Sequence, residues 1–224
     1  KLISIKNYYS TYLLILITIL IHVLFINLSP INFENSFSEG AKYLEDLNDK
    51  IINNYFQHNA NTYVFPFISP LIHKLTPFLE TLVITKFLSA TGYIFLGIGL
   101  IKLHNYYELK VNLNLLIIII FINPLTWTFG FRGTPDFFSS SLAIFSIAFL
   151  INDNLSIFKK VIFSLIFGLA IAIKPHAILI FLLFLFIKIN FFQLNSKSLF
   201  NLFNKLLFVF IFISIPSIVY YLLC

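Results

Sequence analysis

Charge is scarce in this sequence. Asp, Glu, Lys and Arg make up only 11% of its 224 residues, against about 25% in soluble domains. With 59% of the residues hydrophobic, a water-soluble fold of this length cannot hide its apolar surface. Cysteine occurs once, at Cys224, which excludes an internal disulfide and leaves the redox compartment open. Methionine is absent even from position 1, so the chain is expected to begin downstream of its initiator. Strict apolar–polar alternation is also missing, which argues against a β-barrel. No basic patch is interleaved with aromatics on a polar surface, so nucleic acid is excluded as a partner.

The apolar runs are long and continuous. They predict an all-α fold: a polytopic membrane bundle of about seven transmembrane helices in a single domain, residues 1–224. The first span covers roughly residues 8 to 28, behind Lys1 and Lys6. Residues 29 to 81 form an outer loop holding six of the nine acids, with a short amphipathic helix over AKYLEDLNDKIINNYF. Pro66, Pro70 and Pro77 then forbid one long helix. Further spans are expected at roughly 81–103, 111–131 and 137–151. Lys86 is expected to snorkel at the outer end of the second span.

Residues 161–190 are mostly apolar and are broken by Lys174-Pro175-His176. One straight helix there would measure about 45 Å and would bury Lys174 at mid-membrane. Two short spans turning at Lys174-Pro175-His176 avoid that cost. The last span covers roughly residues 206 to 223.

This topology puts nine of the fifteen basic residues and only two acids on the cytoplasmic side, the expected bias. The acidic loop, the Arg132–Asp136 turn and the Lys174–His176 turn then share the outer face. A carboxylate such as Glu39 or Glu34 beside a membrane suits general-base work on a hydroxyl. Arg132 and Lys174 suit a phosphate. Lipid bilayer is therefore one partner, and a lipid phosphate with an acceptor hydroxyl the expected substrates.

The order of these features resembles the glycosyltransferase C superfamily, multispanning enzymes that use polyprenyl-phosphate sugars, and in particular the family 39, dolichyl-phosphate-mannose mannosyltransferase-like type. The features that carry the resemblance are FENSFSEGAKYLEDL in the first outer loop, the Pro-rich YVFPFISPLIHKLTPF, then INPLTWTFGFRGTPDFF and FGLAIAIKPHAILI. The resemblance implies an inverting transfer of a sugar from a polyprenyl-phosphate donor to a glycan, lipid or protein acceptor. It implies Glu39 as base with Glu34 second, and Asp136 on the family's acid. Arg132, Lys174 and His176 are expected at the donor phosphate. Some relatives use a divalent cation, so Mg or Mn at Glu39 or Asp136 is allowed, although no His/Cys/Asp spacing demands one. The active site is expected to face outward from a bacterial inner membrane, or the lumen of the endoplasmic reticulum in a eukaryote.

Each candidate also has a purely structural explanation. Glu39 can be the solvated face of a surface helix. Arg132 and Asp136 can form a local ion pair that caps a span. Lys174 can simply snorkel, and His176 can start a helix. His22 is expected to be a packed neutral residue, and Trp127 an interfacial aromatic. A transporter or flippase, and a non-catalytic or truncated subunit, stay open as other functions.

Overall fold

The computed structural model describes residues 8–25, 72–131, 135–152 and 155–183, together with positions 210, 211, 214 and 215. Among the described residues every regular element is helical, so the class is all-α. The elements are α1 (Tyr9–Phe25), α2 (Thr81–Tyr106), α3 (Leu113–Ile122), α4 (Pro124–Phe131), α5 (Pro135–Leu150) and α6 (Ile157–Ile173). A helical turn covers 72–75, a further helical segment covers 177–183, and positions 210, 211, 214 and 215 are also helical. Among the described residues, one stretch is long and apolar enough to cross a membrane by length and composition: Val83–Tyr106, 24 residues. The apolar helices Tyr9–Leu24, Leu113–Ile122 and Pro135–Leu150 are shorter.

Consecutive long helices alternate in direction. α1 runs antiparallel to α2: the Tyr8 hydroxyl donates to Asn105 Oδ1 at 2.5 Å near one end, and the His22 ring lies 4.3 Å from Tyr93 further along. α3 starts beside the start of α1, where Thr11 Oγ1 donates to Asn114 Oδ1 at 2.6 Å and Asn114 Nδ2 donates to Ser10 Oγ at 2.9 Å. Between α2 and α3 the chain reverses through Glu108, in the left-handed region at φ 47°. Asn112 then caps α3, its side chain accepting from the backbone N–H groups of Asn114 and Leu115.

α5 runs parallel to α2 and packs tightly on it. A Cβ on Gly92 would lie 2.9 Å from the Phe137 ring, and one on Gly99 would lie 3.2 Å from the backbone N and Cα of Phe145. Glycine at these positions lets the two helices approach almost backbone to backbone. α6 returns antiparallel to α5: Phe149 and Phe163 stack at 4.2 Å at one end, and Ser139 Oγ donates to the Ala170 carbonyl at 2.8 Å near the other.

Polarity is distributed inside out. The buried polar side chains include Thr11, His22, Thr85, Lys86, Ser89, Ser139 and Ser146. The exposed large apolar ones include Leu13, Leu16, Leu20 and Leu24 on α1 and Leu115, Ile118, Ile119 and Ile122 on α3. On α1 the exposed set recurs at helical spacing, so an apolar stripe faces outward while Thr11 and His22 face the bundle.

Two expectations from the sequence need correction. The apolar run 111–131 is not one helix, because it breaks at Asn123, which is extended (φ −54°, ψ 127°). Proline at 124 imposes this: it disfavours helical geometry in the residue before it and suits the first position of the next helix. Asn123 Oδ1 then accepts from Leu125 N at 2.9 Å and starts α4. Second, Lys86 does not snorkel out of the bundle; it is 6% exposed. It faces inward because the neighbouring positions on that side of α2, Thr85 and Ser89, are themselves small, polar and buried.

Replacing Gly99 with leucine forces its side chain against the Phe145 backbone, which cannot rotate away. The expected loss is about 1–3 kcal/mol of stability, read as a lower unfolding midpoint of the purified protein in detergent. An unchanged midpoint would show that the two helices are not held this close.

Candidate functional site

The alternation of helices brings Asp136, Lys174 and His176 to one end of the bundle. Pro135 occupies the first position of α5, and Asp136 follows in its first turn, where a carboxylate favours the helix dipole. Lys174 stands immediately after α6. Its backbone is extended (φ −152°, ψ 116°) and its N–H still donates to the Ala170 carbonyl. The proline at 175 accounts for that stop, since a residue before proline avoids the helical region.

The chain then turns back. Ala177 N donates to the Lys174 carbonyl at 3.1 Å and Leu179 N to the His176 carbonyl at 2.9 Å. The Phe181 ring returns to within 5.5 Å of Phe167, a contact that fourteen residues of straight helix, about 21 Å, would forbid. Ser139 holds this turn in place. Its hydroxyl reaches the Ala170 carbonyl and lies 3.5 Å from the Lys174 carbonyl. Ala177 and Phe181 pack with Phe138, Leu142 and Phe167 in one apolar cluster.

On this frame Lys174 Nζ approaches Asp136 Oδ1 to 3.6 Å, and His176 Nδ1 approaches the same oxygen to 3.8 Å. The three side chains are part-exposed, at 33% for Asp136, 24% for Lys174 and 36% for His176. The other ring nitrogen, His176 Nε2, lies 3.1 Å from Ser140 Oγ. Ser140 is one helical turn after Asp136 on α5, so the two share a face. One solvent-accessible cluster thus contains an acid, a lysine, an imidazole and a hydroxyl.

Arg132, Glu34 and Glu39 lie outside the described residues. The expected Arg132–Asp136 ion pair is therefore not part of this description; the described partners of Asp136 are Lys174 and His176. Among the described residues no three His, Cys, Asp or Glu side chains converge in a way that could hold a metal ion.

Ser140 escaped the sequence reading. Ser140 is hidden in the run FFSSSLA, and only its i+4 relation to Asp136 marks it out. A fully buried group lies in the same half of the bundle, packed as the sequence led one to expect: His22 lies against Tyr93 at 4.3 Å and Trp127 at 4.4 Å. His22 Nδ1 donates to the Thr18 carbonyl at 2.7 Å, and the Tyr93 hydroxyl donates to the Thr126 carbonyl at 3.0 Å. Trp127 is thus part of the internal packing, not an interfacial aromatic alone. Gly130 makes room for it, since a Cβ there would lie 2.7 Å from the Tyr93 ring.

No family model matches this chain, and no curated protein or solved structure matches it either.

The Asp136–Lys174 pair is open to water, so it contributes little to stability. A double-mutant cycle with Asp136→Asn and Lys174→Met, followed by unfolding in detergent, is expected to give a coupling energy below about 1 kcal/mol. Both single variants should therefore stay folded, which makes them usable in activity tests.

Proposed function

We propose that this chain is a polytopic membrane protein, with the seven-span bundle expected from its sequence, and that it transfers a sugar from a polyprenyl-phosphate donor at the end where Asp136, Lys174 and His176 meet. The observation that carries this proposal is their convergence: an acid from the start of α5 and two basic groups from the turn after α6, all part-exposed. Membrane insertion draws support from the inside-out polarity, since lipid in place of water suits outward Leu and Ile and inward Thr, Ser, His and Lys. It draws further support from the charge at the two ends. Lys102, Lys110, Lys159 and Lys160 fall at the end opposite Asp136, in keeping with a cytoplasmic face there.

In this mechanism the donor phosphate competes with Asp136 for Lys174. Lys174 exchanges one anion for another, and His176 adds a second donor to the phosphate oxygens. Arg132, four residues before Asp136 in sequence, joins them. The displaced Asp136 carboxylate turns to the acceptor, which it orients by accepting a hydrogen bond from a hydroxyl; it can also hold a Mg or Mn ion if the reaction uses one. Glu39, with Glu34 second, removes the acceptor proton as the new glycosidic bond forms. Positive charge near the departing lipid phosphate stabilises it as the sugar leaves. The acceptor is a glycan, lipid or protein hydroxyl.

Transport or lipid flipping is the rival reading, and it draws on Lys86 and His22, ionisable side chains buried in the bundle. Both lie in the half that contains Asp136. Among the described residues these two groups do not reach the opposite end, and the part-exposed Asp136, Lys174 and His176 cluster favours sugar transfer.

Membranes carrying the full chain should move labelled sugar from a polyprenyl-phosphate donor. Asp136→Asn is expected to lower the rate by about 10²-fold or more, and Lys174→Ala to raise KM for the donor above all. Replacing Glu34 and Glu39 together with alanine should abolish transfer. Undiminished transfer by that double variant removes the base assignment. Undiminished transfer by Asp136→Asn and Lys174→Ala removes the site.

A further inference from the structure

The cluster contains a second arrangement, centred on Ser140, a residue sugar transfer does not use. Ser140 Oγ, the His176 ring and Asp136 lie in sequence: Oγ is 3.1 Å from Nε2, and Nδ1 is 3.8 Å from Oδ1. The hydroxyl faces one ring nitrogen and the carboxylate faces the other. With the ring proton on Nδ1, toward Asp136, Nε2 carries the lone pair and accepts the Ser140 proton. That is the order a serine nucleophile requires: hydroxyl, base, then a group that orients the base.

We propose that Ser140 is a nucleophilic serine, with His176 as its general base and Asp136 as the residue that positions the imidazole, and that it takes an acyl group from a carboxylic ester presented at this end of the bundle.

Four further observations bear on this. The cluster is accessible, since Asp136 and His176 are each about a third exposed, so an ester can reach it. Its geometry is held by the fold, because the Ser139 hydroxyl pins the Lys174–His176 turn against α5 through the Ala170 carbonyl. Lys174 also brings positive charge to the same cluster, where negative charge develops on the carbonyl oxygen. Leu179, Leu182 and Leu183 are exposed on the segment just past the turn, so an apolar chain on the ester has a surface to lie on. The substrate class is accordingly an ester with an apolar acyl or alkyl chain.

The step balances as acyl transfer. The Ser140 oxygen bonds to the ester carbonyl carbon while its proton passes to His176 Nε2. The tetrahedral adduct collapses, the bond to the alcohol oxygen breaks, and that oxygen takes the proton from Nε2. Acyl-Ser140 and an alcohol result. Water, or a second alcohol, then attacks the acyl carbon, gives its proton to Nε2, and releases the acyl group as an acid or a new ester. The proton returns to Ser140 Oγ. No oxidant, reductant or metal is needed.

The test requires no sugar donor, so it can fail while sugar transfer stands, and the reverse also holds. The full chain in detergent is treated with a biotinylated fluorophosphonate, and the modified peptide is located by mass spectrometry. The Ser140 oxygen bonds to phosphorus, fluoride leaves and the proton goes to His176. The expected result is an adduct on Ser140, absent after heat unfolding and formed about 10²-fold more slowly in His176→Gln. Asp136→Asn should also slow it. Asp136→Glu should restore it, since the 3.8 Å gap has room for a longer carboxylate. An unlabelled Ser140 in protein that keeps its helical circular dichroism would overturn the proposal, as would labelling as fast in His176→Gln as in the parent. A second measurement guards against misfolded variants: the thiol of Ser140→Cys should react with iodoacetamide at least about 10-fold faster when His176 is present than when it is Gln, and equal rates would overturn the relay.

Discussion

The close approach of α2 and α5 is the constraint on which the rest of the structure depends. These helices are separated in sequence by α3 and α4, yet Gly99 meets the Phe145 backbone itself, and Gly92 leaves room for the Phe137 ring and the Ser141 hydroxyl. In the lipid surroundings proposed above, a bundle with an apolar outer surface gains little from burying more leucine, because lipid is as apolar as a leucine side chain. Close van der Waals contact and interhelical hydrogen bonds supply the attraction instead. Small residues are therefore concentrated at this seam, and the bulkier apolar residues are directed outward.

The position of α5 in turn fixes the site. With α5 anchored on α2, its first turn holds Asp136 at one end of the bundle. The Ser139 hydroxyl one turn below captures the last carbonyls of α6. The Lys174-Pro175-His176 turn is thus placed by a buried hydrogen bond and not by the ion pair that lies above it. The two interactions differ in kind. The serine bond is buried and structural, whereas the Asp136–Lys174 contact is solvated, weak and exchangeable. A ligand can displace the second without disturbing the first.

Much of this was legible in the sequence, and for identifiable reasons. Continuous apolar runs specified helices. The lysine–proline step at 174–175 specified a helix stop, because proline constrains the residue before it whatever the tertiary context. The same rule at Asn123-Pro124 could have predicted the break between α3 and α4, but the apolar run on either side concealed it. Asp136 and Lys174 were visible as isolated charges between apolar runs. Ser140 was not, because serine in such a helix carries no signal of its own and becomes significant only when another segment brings an imidazole to it. Lys86 was misjudged because a lysine near a helix end snorkels by default. Its inward orientation depends on which face of α2 meets the bundle, and that is a property of the packing.

The parallel pairing of α2 and α5 also governs the order of assembly. A hairpin of neighbouring helices can close as soon as its second member exists, but α2 and α5 point the same way and cannot form one. The face of α2 that carries Gly92 and Gly99 therefore has no native α5 to meet until the chain has been synthesised through Leu150. Segments made first must wait for those made later, and here the segment that waits includes Val83–Tyr106, long and apolar enough to cross a membrane. During that interval the small residues of α2 lack the helix they pack against in the finished bundle.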